Sequence, residues 1–279
     1  MKVASVVVFY NPTEDNILNI DKFKDSVDVV YIVDNSDDNI IRIEESNKIK
    51  YIKLGENKGI AKALNIGAEL AIRNGYNWLL TLDQDSKITS EIVNKMKKFI
   101  EKNKNKINIG LVSPYQDIDS KEIINDTLYE EQLEMMTSGN IINLDAYKKV
   151  GGFKDWLFID LVDTDYCMNL NKNGYKVLRL NKVIMKHTLG NLKVHKFFGK
   201  EYPCYNHNPI RRYYIVRNTF YINDMYKYLY PEYCKHLIRI QWGQFKRIIF
   251  FEKNKYKKIR MMYKGYRDYK KNIKGKIKL

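Results

Sequence analysis

The feature that most constrains this chain is the alternation, through its first 115 residues, of short β-branched runs with stretches of helical period. Val3–Phe9, Val29–Val33, Tyr51–Leu54, Trp78–Leu82 and Ile109–Val112 read as strands. Between the third and fourth, Ile60, Ala63, Leu64, Gly67, Leu70 and Ala71 recur at helical spacing, and Asn74-Gly75 supplies a stop. Such alternation is the sequence form of βαβ units, which bury both kinds of element as a mostly parallel sheet with helices on its faces. Ser90 is expected to open the next helix, whose stripe is Ile92, Met96, Phe99 and Ile100. A strand-like run from Leu133 ends in Thr137-Ser138-Gly139-Asn140. After the Gly151-Gly152 turn comes a helix over about Asp163–Asn173, stopped by Gly174.

Charge divides the chain further. From Asn191 to Leu279 there are 23 Lys+Arg against 5 Asp+Glu, whereas residues 1–190 carry 26 against 28. The near-neutral front therefore carries a basic, aromatic, helical back, with Pro231 opening its second helix. Such a region seeks phosphate-rich partners. No stretch approaches the ~18 apolar residues that span a bilayer. The apolar start is read as a buried strand rather than a leader, and three cysteines without CxxC spacing fit a reducing cytosol.

Ligands of open α/β sheets sit at the carboxyl ends of the strands. Asp83-Gln84-Asp85 follows the fourth strand directly, and two acids one residue apart can hold a hard divalent cation against a diphosphate. Tyr10-Asn11-Pro12, Asp34-Asn35-Ser36 and Gly55–Gly59 follow the first three strands and would converge on the same crevice. Asp34 can accept from a base or ribose, and Asn57 and Gly59 would present amides at a helix start, where anions are favoured. Asp160, Asp163 and Asp165 lie among large apolar residues. A carboxylate there can serve as general base to an acceptor hydroxyl, or simply cap the helix. His187 could supply an imidazole to the metal, and Arg212 and Arg217 could reach a diphosphate from a helix.

Together these pieces resemble glycosyltransferase family 2, the inverting group of GT-A fold, and within it bacterial rhamnosyltransferases. The resemblance spans roughly residues 3–220. It rests on Val8–Pro12, Val33–Ser36, Asn57–Ala61 with Asn65, Leu82–Ser86, Ser138–Asn140, Gly151–Phe153, Phe158 to Cys167, His187, and Arg212–Tyr214 with Arg217-Asn218. It implies a GT-A type, Rossmann-like, mostly parallel mixed sheet with a basic helical C-terminal extension. The domain would cover 1–220, with a donor half to about 115 and an acceptor half beyond, followed by a basic amphipathic region over 221–279.

By the same resemblance, Tyr10, Asn11, Asp34, Asn57, Gly59, Asp83, Gln84, Arg212 and Arg217 serve the nucleotide-sugar, and Asp85 and His187 a Mg2+ or Mn2+. Gly139, Trp156 and Asp160 lie toward the acceptor, and Asp163 is the base. Val162 replaces the first acid of the family's usual Glu-Asp pair. The expected activity is transfer of a sugar, rhamnose from dTDP-rhamnose or else a hexose from a UDP-sugar, to a saccharide or lipid-linked saccharide at the cytoplasmic face of a membrane. The basic tail would touch that membrane, or pack on the catalytic lobe or in a homodimer. Nucleic-acid binding is the competing reading of the tail, disfavoured because its apolar residues follow a helical period. A nucleotidyltransferase is disfavoured because no glycine-rich phosphate loop opens the chain.

Overall fold

A computed structural model describes residues 1–38, 43–117, 126–186, 193–197 and 199–278, in two compact units. The first comprises Met1–Asp155 and Val162–His187; the second comprises Trp156–Leu161 and Thr188–Leu279. The expected site residue His187 lies outside the described residues.

In chain order the first unit runs β1 (Val3–Phe9), α1 (Glu14–Asp21), β2 (Val29–Asp34), β3 (Ile49–Lys53), α2 (Ile60–Arg73), β4 (Trp78–Asp83), α3 (Ser90–Asn103), β5 (Ile109–Asp117), β6 (Tyr129–Glu131), β7 (Asn140–Asn143), α4 (Leu144–Val150), α5 (Val162–Lys172) and β8 (Lys176–Lys186). Its eight strands form one sheet in the order β3-β2-β1-β4-β7-β5-β8-β6. β1, β2, β3 and β4 are parallel, as are β5 and β8, while β7 runs antiparallel between β4 and β5 and β6 runs antiparallel on the edge.

Every residue of β1 and β2 is buried, which is why both read as continuous apolar runs rather than alternating ones. On one face Val7, Phe9, Ile32, Leu80 and Leu82 pack with Val93, Met96, Phe99 and Ile100 of α3. Each such side chain contributes roughly 1.5–3 kcal/mol by leaving water. On α2, Gly67 lies against Val6, and a Cβ added there would stand 2.3 Å from a Val6 methyl. The helix seats on β1 because that position carries no side chain.

Two local expectations are corrected. Thr89, not Ser90, caps α3: its backbone is extended and its hydroxyl accepts from the Ile92 amide, whereas Ser90 is already helical. The run from Leu133 to Thr137 is not a strand. Its carbonyls accept from side chains instead of a ladder: Leu133 and Met136 from the amides of Asn171 and Asn140, and Thr137 from the Thr81 hydroxyl.

The second unit holds the antiparallel pair β9 (Lys193–Phe197) and β10 (Lys200–Cys204), then α6 (Pro209–Tyr226), α7 (Pro231–Phe251) and α8 (Lys255–Lys270). Among the described residues no helix is long and apolar enough to cross a membrane. Gly265 of α8 lies so close to α6 that a Cβ would stand 2.5 Å from the Tyr213 carbonyl oxygen. Within this unit Glu252, fully buried, receives Arg212 at 2.7 Å and Lys258 at 2.8 Å.

Candidate active site

The parallel register brings the expected strand ends level. Val8 pairs with Asp83 and Phe9 with Asp34, so the segments that leave β1, β2 and β4 emerge side by side. Side chains then tie them together. The Tyr10 amide donates to Gln84 Oε1 at 2.7 Å, and Asn16 donates to the Gln84 carbonyl at 3.1 Å. Asn11, at φ 47°, donates its amide to the Ser36 hydroxyl at 2.8 Å. Gln84 thus joins β1 to β4, and Tyr10 is left 45% exposed at the rim.

Asp34 is fully buried. Its carboxylate accepts from the amide and hydroxyl of Ser36 at 3.0 and 2.6 Å and from the Tyr51 hydroxyl at 2.5 Å. A carboxylate held this way is fixed in direction before any ligand arrives. The glycine loop after β3 is tied to the segment that follows β2 and to itself. The Asn57 amide donates to Asp37, the Lys58 amide to the Asn35 side chain at 2.7 Å, and the Gly59 amide to the Asn57 side chain at 3.0 Å. These amides hold the loop's shape instead of standing open for an anion, while Asn57 also accepts from Asn35 Nδ2 at 3.1 Å. Gly59, at φ 87°, turns the chain into α2.

At the end of β4, Asp83 and Gln84 are half-buried and Asp85 is exposed. The Asp83 amide reaches the hydroxyls of Ser86 and Ser138, at 3.1 and 3.3 Å, and those hydroxyls are bonded to each other. Ser138-Gly139 is thereby docked beside the acids. Gly139, at φ 88°, donates its amide to the Thr81 carbonyl, and a Cβ there would meet Met185 at 2.9 Å. No group of three or more His, Cys, Asp or Glu suited to a metal ion occurs among the described residues. The donor set at β4 nevertheless suits a hard cation that takes most of its ligands from phosphate and water and only one or two from carboxylates.

Asp163 stands half-buried in the first turn of α5, beside a closed packing space that Thr81, Thr137, Asn140, Phe153, Tyr166 and Cys167 also border. Thr81 lies two residues before Asp83 on the same strand, so it and Asp83 share one face of β4. Asp165, by contrast, is fully buried and bound by Lys154 Nζ at 2.8 and 2.9 Å, a structural ion pair. Burial raises the fully buried Cys167 thiol well above its ordinary range, as for a structural rather than a reactive cysteine.

The remaining expected residues lie in the second unit. Arg212 and Arg217 are 2% and 0% exposed. Arg212 is paired with Glu252, and Arg217 donates to the carbonyls of Trp156, Leu157 and Gly275. A diphosphate contact by either would require these bonds to be exchanged. Asp160 is gripped by the Arg211 guanidinium at 3.0 Å, yet burial outweighs that pull and holds its carboxyl above the usual carboxylate range. Sequence reasoning passed over Arg211 and Asn218 as contacts of this loop; their seven-residue spacing, which sets both on one helix face, was the available signal.

A profile of glycosyl transferase family 2 matches residues 6–154. The chain is 31% identical over 236 residues to a dTDP-rhamnosyl transferase, RfbF, of Shigella flexneri, covering 78% of each chain. Its fold is similar to that of S. aureus TarS 1–349 in complex with UDP-GlcNAc, with 15% identity, a TM-score of 0.58, and 98% of this chain and 83% of that one covered. It spans only 44% of a longer TarS chain. GalNAc-T7 with UDP, GalNAc and Mn2+ is similar at 12% identity and TM-score 0.53, over 77% of this chain and 47% of that one. The mostly parallel sheet, with its antiparallel β7 and its flanking helices, is a GT-A-like fold, and the chain belongs to glycosyl transferase family 2.

Proposed function

We propose that this glycosyltransferase moves L-rhamnose from dTDP-rhamnose to a saccharide, lipid-linked acceptor in the synthesis of a cell-surface polysaccharide, with inversion at the anomeric carbon. The sugar assignment is carried by the likeness to a dTDP-rhamnosyl transferase over 78% of both chains. The chemistry is supported by the place of Asp163, half-buried in the first turn of α5 near Thr81 of the strand that ends in Asp83.

In the reaction Asp163 accepts the proton of the acceptor hydroxyl as its oxygen bonds to the anomeric carbon. The bond from that carbon to the diphosphate oxygen breaks, and the nucleoside diphosphate leaves with the electron pair. One base suffices for a single displacement. Asp34, held rigid by Ser36 and Tyr51, orients the base of the donor, and Asp83 and Gln84 its ribose and phosphate side. Tyr10, Asn11, Asn57 and Gly59 shape the walls of that donor crevice. Asp85 would hold a divalent ion, Mg2+ or Mn2+, which would neutralise charge on the departing diphosphate. Gly139, Trp156 and Asp160 serve the acceptor side.

The acceptor's lipid would explain the basic tail, whose exposed aromatic and cationic residues suit attachment to the inner face of the cell membrane. A panel of nucleotide sugars with Mg2+ or Mn2+, followed by thermal stabilisation, tests the donor, since a ligand of the native state raises apparent stability. dTDP-rhamnose is expected to give the largest shift; a response to a UDP-hexose with none to dTDP-rhamnose would overturn the sugar.

A further inference from the structure

The six residues Trp156–Leu161 belong with the helices of the second unit, although they immediately precede α5 and its Asp163. Three of them, Phe158, Asp160 and Leu161, have φ of 69°, 63° and 61°, a region that side-chain-bearing residues avoid. Strain of this kind persists only where surroundings over-determine it.

One stripe of α6 supplies that determination. Arg211, Tyr214, Asn218 and Tyr221 recur at spacings of three and four, so they share a face. Arg211 binds the Asp160 carboxylate, and Tyr214 stacks on Phe158 with ring centroids 5.0 Å apart. Asn218 donates to the carbonyls of Leu157, Ile159 and Asp160 at 2.9, 2.8 and 3.0 Å, and Tyr221 meets Trp156 edge-on at 5.1 Å. Beside the stripe, Arg217 Nη2 donates to the Trp156 and Leu157 carbonyls at 3.1 and 3.0 Å, and its Nε is bonded to Asn218. The chain end closes the other side. Gly275 donates to the Trp156 carbonyl at 2.8 Å and accepts from Arg217 Nη1 at 2.6 Å. Lys274 lies over the Trp156 ring at 4.8 Å, and Ile277 donates to the Tyr214 hydroxyl.

We propose that Arg217 and Asn218, together with residues 274–277, are positioning residues: they lock the Trp156–Leu161 loop in its strained form so that Trp156 and Asp160 are preset for the acceptor. The proposal rests on the acceptor-side role given to that loop above. It places Arg217 on loop carbonyls rather than on the donor's diphosphate. The acceptor side thus depends on residues 274–277, more than a hundred positions away in sequence.

Two variants of the full chain test it: Asn218→Ala, and truncation after Ile273, which leaves every residue of α6 in place. Amide exchange at residues 157–161 should accelerate at least fivefold in both, while dTDP affinity stays within twofold of the parent. With the saccharide that the parent glycosylates, KM for the acceptor should rise about tenfold, with KM for the nucleotide sugar unchanged. Should Asn218→Ala fold poorly, the truncation alone decides. Unchanged exchange at 157–161, or a tenfold loss of dTDP affinity with acceptor KM preserved, would overturn the clamp. A parent chain that transfers from no nucleotide sugar would defeat the proposed activity while leaving the exchange result to judge the clamp.

Discussion

At the scale of single residues, this chain places charge in the interior where it fixes geometry. Glu252 is the clearest case, a fully buried carboxylate between two nearly buried cations, Arg212 and Lys258, with Lys258 also donating to Asn206. The cluster already carries an excess positive charge, and neutralising its only acid strands two cations away from water. Glu252→Gln should therefore cost about 3–5 kcal/mol, the usual penalty for breaking a buried pair. Thermal unfolding should show a fall on the order of 10 °C, and an unaltered midpoint would contradict the reading. Asp165 with Lys154 obeys the same logic. The sequence showed Asp160, Asp163 and Asp165 as one acidic cluster, but their surroundings sort them into a gripped loop acid, a half-buried helix acid and a buried ion pair. That sorting depends on contacts with Lys154 and Arg211, which spacing alone does not encode.

At the scale of elements, the parallel strands and α2 were legible because pattern and burial coincide: β1 and β2 are buried throughout and almost wholly apolar, and α2 sets its stripe against the sheet through Gly67. The run 133–137 imitates a strand in its apolar content, while its carbonyls are satisfied by asparagine and threonine side chains. Helix α6 hides its faces, since buried tyrosines, arginines and Asn218 surround it and leave no apolar stripe to read. On α7 the apolar residues divide between two sides. Cys234, Leu237 and Ile248 are buried, whereas Trp242 and Phe250 are 64% and 68% exposed in a line with Lys235, Arg239 and Lys246. Alternating cations and exposed aromatics are what an anionic bilayer surface selects, at about 1 kcal/mol per cation near the head groups. The full chain should float with phosphatidylglycerol-rich vesicles and not with neutral phosphatidylcholine ones, and the double change Trp242→Ala and Phe250→Ala should weaken flotation about tenfold. Equal flotation with both lipids would remove the membrane from the account.

At the scale of the whole molecule, the chain combines a near-neutral α/β unit, whose strand ends bear the acids, with a basic helical unit that holds the loop Trp156–Leu161. The family was legible because its motifs recur in order over most of the chain, and because strand ends are where such a sheet must bind its ligand. The choice of metal, sugar and acceptor in such a family rests on a few polar groups, which the pattern of apolar residues does not carry. The account turns on one carboxylate. Replacing Asp163 by Asn keeps its size but removes its basicity, and general-base catalysis of this kind contributes typically about 10²–10⁴-fold. Transfer from dTDP-rhamnose should fall by that factor while affinity for dTDP-rhamnose, measured by calorimetry, stays within about twofold. Full turnover by the Asp163→Asn chain would contradict the mechanism at its centre.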